Sequence, residues 1–136
     1  MRTRICRLVG RRDICIQTIE LNSPGDDEVV IQMGAGGICG SDLHYYNDGG
    51  FGPIKVKEPI ILGHEVSGTV LSLGSQVENL TLGDKAALNS CHPCGACAYC
   101  PHIIFQPFLH MCFFGSALRF PHDQVSFCEP LLVTSG

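Results

Sequence analysis

The 136 residues predict a mainly β domain with minor helix. Three observations carry this. Short β-rich runs recur at near-regular spacing, turn residues separate them, and the one stretch with a helix start signal is brief. Runs of this kind close into a small β-barrel or sandwich.

Arg4 to Val9 and Asp13 to Glu20 form the first predicted strand pair, with Gly10-Arg11-Arg12 as the turn. Along the second strand Ile14, Ile16 and Thr18 alternate with Cys15, Gln17 and Ile19. Asn22 to Asp27, with its Ser-Pro-Gly core, is a turn. Glu28 to Met33 is the next strand, followed by the glycine-rich Gly34-Ala35-Gly36-Gly37. Ile38 to Tyr46 opens a short helix with Ser41 or Asp42 as its cap. Asn47 to Pro53 is a glycine-rich loop, Glu65 to Leu73 a strand, Leu82-Gly83-Asp84 a turn and Lys85 to Asn89 a short strand. Ser90 to Pro101 is a cysteine-rich loop. Beyond it, Pro101 and Pro107 interrupt an aromatic-rich stretch and argue against a long helix.

Composition narrows the function. The chain is 45% hydrophobic and 16% charged, too apolar for disorder. A net charge of −4 without blocks of like charge leaves no nucleic-acid footprint, and no basic amphipathic stretch suggests a membrane surface. Arginines at positions 2, 4, 7, 11 and 12 break up any signal-peptide core, so the expected compartment is the cytoplasm. Nine cysteines, an odd count in a reducing compartment, point to metal rather than disulfides.

Two clusters carry the chemistry. Cys39 and the pair His64-Glu65 offer a thiolate, an imidazole and a carboxylate. A catalytic zinc takes about three such donors and keeps one position open. Glycines flank them: Gly37, Gly40 and Gly63 permit sharp turns and close approach. Read singly, a Cys and a His are more often ordinary core residues. The second cluster is Cys94-x2-Cys97-x2-Cys100, with Cys91 just before it.

The pattern around these residues is specific. Gly63-His64-Glu65-Val66-Ser67-Gly68, continuing to Gly74 and Val77, reads G-H-E-x2-G-x5-G-x2-V. Upstream stands Gly36-Gly37-Ile38-Cys39-Gly40-Ser41-Asp42-Leu43-His44-Tyr45-Tyr46. With Gly49 to Ile54, Phe113 to Ala117 and Phe120-Pro121-His122, the chain resembles the zinc-dependent medium-chain alcohol and polyol dehydrogenases, in their L-idonate 5-dehydrogenase-like branch. The resemblance runs from about Arg4 to Val133. It implies a GroES-like β-barrel catalytic domain over residues 1–136, and an enzyme that oxidises a secondary alcohol of a polyol or sugar acid with NAD or NADP. It implies zinc ligands at Cys39 and His64, with Glu65 binding or backing the metal. Glu129, in Phe127-Cys128-Glu129-Pro130-Leu131, matches a downstream carboxylate that can also reach it. Ser41 matches the hydroxyl through which the substrate proton leaves, with His44 and Tyr45 beside it. Members of the family are oligomeric.

The sequence departs from the family at three places. The structural-zinc pattern C-x2-C-x2-C-x7-C needs a fourth thiolate eight residues after Cys100, where Phe108 stands. Cys112, Cys91, His102 or His110 could replace it, or the lobe 91–112 could hold three buried thiols without metal. After about residue 124 the chain runs almost directly into Phe127, so a deletion that leaves the barrel open is expected. Finally, the only near match to the Rossmann G-x-G-x-x-G is Gly34-Ala35-Gly36-Gly37-Ile38-Cys39, with Cys39 at the third glycine, and the resemblance implies instead that these glycines form a turn leading to Cys39. The Rossmann domain is therefore expected to be absent from these residues. The chain is read as an incomplete, partly degenerate catalytic domain, inactive in isolation. The alternatives are a non-catalytic zinc-binding fragment or interaction module, and a redox or metal-storage protein built on the cysteines.

Overall fold

The computed structural model describes residues 1–92, 112–124 and 127–135. Strands dominate. β1 (Arg2–Gly10) and β2 (Asp13–Glu20) form the expected hairpin, and Arg12 takes the left-handed turn position at φ 58°. The other edge of β1 pairs with β6 (Ile60–Ile61) and β11 (Cys128–Glu129). A second sheet has the order β12-β3-β7-β8, from β12 (Leu131–Thr134), β3 (Glu28–Gly37), β7 (Glu65–Leu73) and β8 (Lys85–Ala87). Two small pairs complete the described strands: β4 (Gly50–Phe51) with β5 (Ile54–Lys55), and β9 (Cys91–His92) with β10 (Cys112–Phe113).

The core lies between the two main sheets. Ile5, Ile61 and Cys128 from one meet Val29, Ile31, Val66, Val70, Leu131 and Val133 from the other. Each large aliphatic side chain buried here contributes roughly 1.5–3 kcal/mol. A smaller cluster of Leu8, Tyr45, Ile60, Leu62 and Ala117 seats the helix, and Phe127 packs against both clusters.

Two expectations are corrected. Gly34 to Gly37 is not a turn: β3 continues through it, pairing Gly36 with Val66 and Gly37 with Glu65. Lacking side chains, these glycines let β7 come close. A Cβ on Gly37 would overlap the Glu65 carboxylate and lie 3.0 Å from the Glu65 Cβ. The helix α1 (Gly40–Asp48) starts earlier in the chain than the expected cap allows. Its cap is Cys39, with neither Ser41 nor Asp42 in that place, and it ends on left-handed Gly49. Residues 128–134 supply β11 to one sheet and β12 to the other, with Leu131 opposite Ile31 and Cys128 opposite Ile5. Along β12, buried Leu131 and Val133 alternate with the more exposed Leu132 and Thr134, the two-residue period of a strand.

Cys94, Cys97, Cys100, Phe108, His102 and His110 lie outside the described residues, and so does most of the expected lobe 91–112. Among the described residues α1 is the sole helix, and no helix is long and apolar enough to cross a membrane.

Candidate metal centre

Cys39 stands where extended backbone (φ −86°, ψ 162°) turns into α1. Three residues on, Asp42 points back, and its Oδ2 accepts the Cys39 N–H at 2.9 Å. The other oxygen, Oδ1, accepts the Gly63 N–H at 3.2 Å and lies 3.9 Å from His64 Nδ1. Asp42 is buried, so one carboxylate fastens the helix start to the segment that carries His64. Gly63 makes the turn into that segment at φ 95°, a conformation that L side chains rarely adopt. Any Cβ there would also stand 2.6 Å from the Phe127 ring.

Glu65 opens β7 opposite Gly37, two residues before Cys39. The two-strand register and the Asp42 bridge thus deliver three donors to one point. One ligand atom each from Cys39, His64 and Glu65 lie within 4.8 Å of one another. The His64 side chain is 10% exposed and that of Glu65 is 54% exposed, so the centre opens to solvent on the carboxylate side. Sulfur, nitrogen and oxygen donors in this number suit a zinc ion that keeps a position for substrate.

A cavity of about 230 Å³ adjoins the centre, lined by Ser41, Tyr45, Phe51, His64, Phe113 and Ser116 among others. The His64 and Phe113 rings lie 5.2 Å apart, tilted by 54°. The Tyr45 hydroxyl accepts the Ala117 N–H at 3.3 Å and lies 3.4 Å from Ser116 Oγ. Tyr45 therefore joins the helix to the cavity wall.

The remaining predicted residues divide. Ser41 and Tyr45 face the cavity. His44 does not line it: its side chain is half exposed, with Nδ1 3.2 Å from Asp48 Oδ2 and its ring against Phe51. Glu129 is corrected. Antiparallel pairing of β11 with β1 sets it opposite Arg4, whose Nη2 and Nε donate to Glu129 Oε2 at 2.7 and 3.1 Å, and it takes no part in the donor cluster. Cys112 opens β10, and Arg119 Nη1 donates to its Sγ.

Sequence inspection missed the residues that hold the site together. Asp42 stands three positions after the cap, where a side chain returns to the cap N–H, and this spacing could have revealed it. His122 and Gln124 had no such signal. His122 Nε2 accepts the Lys57 N–H at 2.9 Å while its Nδ1 donates to Arg119 O at 2.7 Å. Gln124 accepts the Ile61 N–H and donates to Pro59 O. These two side chains bind the cavity-wall segment to the strand leading to His64.

Residues 25–126 match the family described as Alcohol dehydrogenase GroES-like domain. The chain is 41% identical to L-idonate 5-dehydrogenase (NAD(P)(+)) of Escherichia coli (strain K12), over 100% of this chain and 39% of that protein. It is 35% identical to sorbitol dehydrogenase of Homo sapiens, over 90% of this chain and 36% of that one. Among solved structures, L-idonate 5-dehydrogenase of Escherichia coli superposes with a TM-score of 0.87 at 38% identity, covering 99% of this chain and 38% of its own. The 2R,3R-butanediol dehydrogenase of Bacillus subtilis superposes at 0.75 with 27% identity, over 97% and 38%. The chain thus spans about two fifths of the length of these relatives. With its GroES-like strands and the Cys-His-Glu cluster in place, this chain belongs to the alcohol dehydrogenase GroES-like family and is related to the zinc-dependent medium-chain dehydrogenases.

Proposed function

We propose that this chain provides the zinc-binding catalytic half of an oxidoreductase that oxidises a secondary alcohol of a polyol or sugar acid, with L-idonate as the first substrate to test. The convergence of Cys39, His64 and Glu65 within 4.8 Å carries this reading. When bound, zinc makes a neighbouring hydroxyl more acidic and a nicotinamide accepts hydride from its carbon. The chain's own residues do the rest. Cys39 and His64 hold the ion, and Glu65 binds or backs it from the open side. The cavity beside His64 orients the hydroxyl-bearing carbon between Phe113 and Tyr45. Ser41 takes the hydroxyl proton inside the cavity. His44, one helical turn further on and exposed, passes it to water. NAD or NADP is the proposed oxidant, from the name of the Escherichia coli relative.

The test is zinc content. The purified chain should hold zinc that the double substitution Cys39→Ser, His64→Ala removes. Elemental analysis showing the same zinc in both would rule the centre out. A non-catalytic zinc module is the second reading, and it makes the same metal prediction. The two separate only in nicotinamide-linked oxidation of L-idonate, sorbitol and xylitol by a protein that extends this sequence with a dinucleotide-binding half.

A further inference from the structure

His64 is held from both sides of its backbone. Asp42 secures the preceding N–H, that of Gly63. The carbonyl of His64 itself accepts a hydrogen bond from the hydroxyl of Ser90. Ser90 is buried, at 8% exposure, and its own carbonyl accepts the Phe114 N–H at 3.1 Å. Phe113, the neighbour of Phe114, puts its ring against the His64 imidazole. Ser90 thus joins the backbone of a metal-binding histidine to the aromatic wall that covers its ring. A buried hydroxyl must find some acceptor, but this one selects the carbonyl that sets the direction of the His64 side chain.

We propose that Ser90 is a positioning residue for the metal centre: through the His64 carbonyl and the Phe114 N–H it fixes the imidazole in the ligating orientation. The inference rests on the metal centre proposed above. Residues that orient a ligand from outside the coordination sphere typically contribute ten- to hundredfold to metal affinity. The hydroxyl is the working part, so threonine should replace serine and alanine should not.

Cobalt(II) tests this, because a thiolate–cobalt absorption band reports on Cys39 and the visible d–d bands report on the geometry around the ion. The full chain is titrated with cobalt(II), and the spectrum of Cys39→Ser is subtracted to isolate this centre. Ser90→Ala should weaken the Cys39-dependent band's titration by roughly ten- to hundredfold and shift the d–d bands. Ser90→Thr should restore both. The melting temperature of the metal-free protein serves as the control for a purely structural hydroxyl, which would lower it and leave the cobalt spectrum unchanged. That result would overturn the proposal, as would an Ala variant that matches the wild type in both. If the wild type itself shows no Cys39-dependent band, the metal centre fails, and the role of Ser90 falls with it.

Discussion

Gly37 and Glu65 face each other across β3 and β7 with no room for a side chain on the glycine. The atom that a Cβ would overlap is the end of a flexible, half-exposed carboxylate. Gly37→Ala should therefore displace Glu65 without disrupting the sheet. Zinc affinity is expected to fall clearly, while the denaturant midpoint of the metal-free protein changes little. Isothermal titration paired with urea unfolding checks both halves of this expectation.

Asp42 should behave differently, because its carboxylate satisfies two backbone donors in a buried place. Asp42→Ala leaves the Cys39 and Gly63 N–H groups without that acceptor, at about 1–3 kcal/mol each. Stability and metal affinity should drop together. Asp42→Asn keeps one acceptor oxygen and should lose about half as much. Equal stability of the Ala variant and the wild type in urea would refute the bridge.

His122 is the corresponding test for the cavity wall. His122→Ala removes the acceptor of the Lys57 N–H and the donor to Arg119 O, and should cost about 1–3 kcal/mol. Hydrogen exchange should speed up at Lys57 and at the Tyr45-bonded Ala117 N–H. Unchanged exchange at both would show that the wall does not depend on this histidine.

Burial pushes the Cys128 thiol up from 9.0 to about 12. The folded state therefore holds this proton more tightly than the unfolded chain does. Below pH 9 both states are protonated and the thiol adds no pH dependence. Between pH 9 and about 12 the unfolded chain ionises first, so stability should fall as pH rises. Melting temperatures of the wild type and Cys128→Ala should converge over that window as the thiol's contribution is lost. A constant difference would contradict the shift.

The 136-residue chain alone should reduce no nicotinamide with L-idonate, sorbitol or xylitol. None of its described strands leads through G-x-G-x-x-G into a helix, the arrangement that holds a dinucleotide. A zinc-dependent rate from the pure polypeptide, measured by absorbance at the reduced cofactor's band, would overturn this.

The strands and the cluster of Cys39, His64 and Glu65 were legible because their signals are local. Alternation marks β2 and β7, and glycines beside Cys39 and His64 mark a close approach. Gly34 to Gly37 misled because the same residues serve a turn or a tight strand pair, and only the partner strand decides which. Glu129 misled through its neighbours: Phe-x-Glu-Pro-Leu looks like a ligand segment, but pairing with β1 turns the carboxylate to Arg4. Ser90, His122 and Gln124 were invisible because the partners that tie them to the site, His64, Lys57 and Ile61, lie 26 to 65 positions away in the chain.

The pairing of Arg4 with Glu129 and of Ile5 with Cys128 also bears on synthesis. β1 and β2 leave the ribosome well before β11 and can form their hairpin without it. The other edge of β1 takes β6 at Arg7 and Leu8, but at Arg4 and Ile5 it has to wait for a strand made some 125 residues later. Until β11 emerges, the Arg4–Ile5 stretch of that edge is unpaired and Ile5 lacks its core neighbours Cys128, Leu131 and Val133, and incompletely covered nascent chains are the ones that aggregate or engage chaperones. The β1–β11 pairing is the longest-range one among the described strands, and pairings of large sequence separation slow folding.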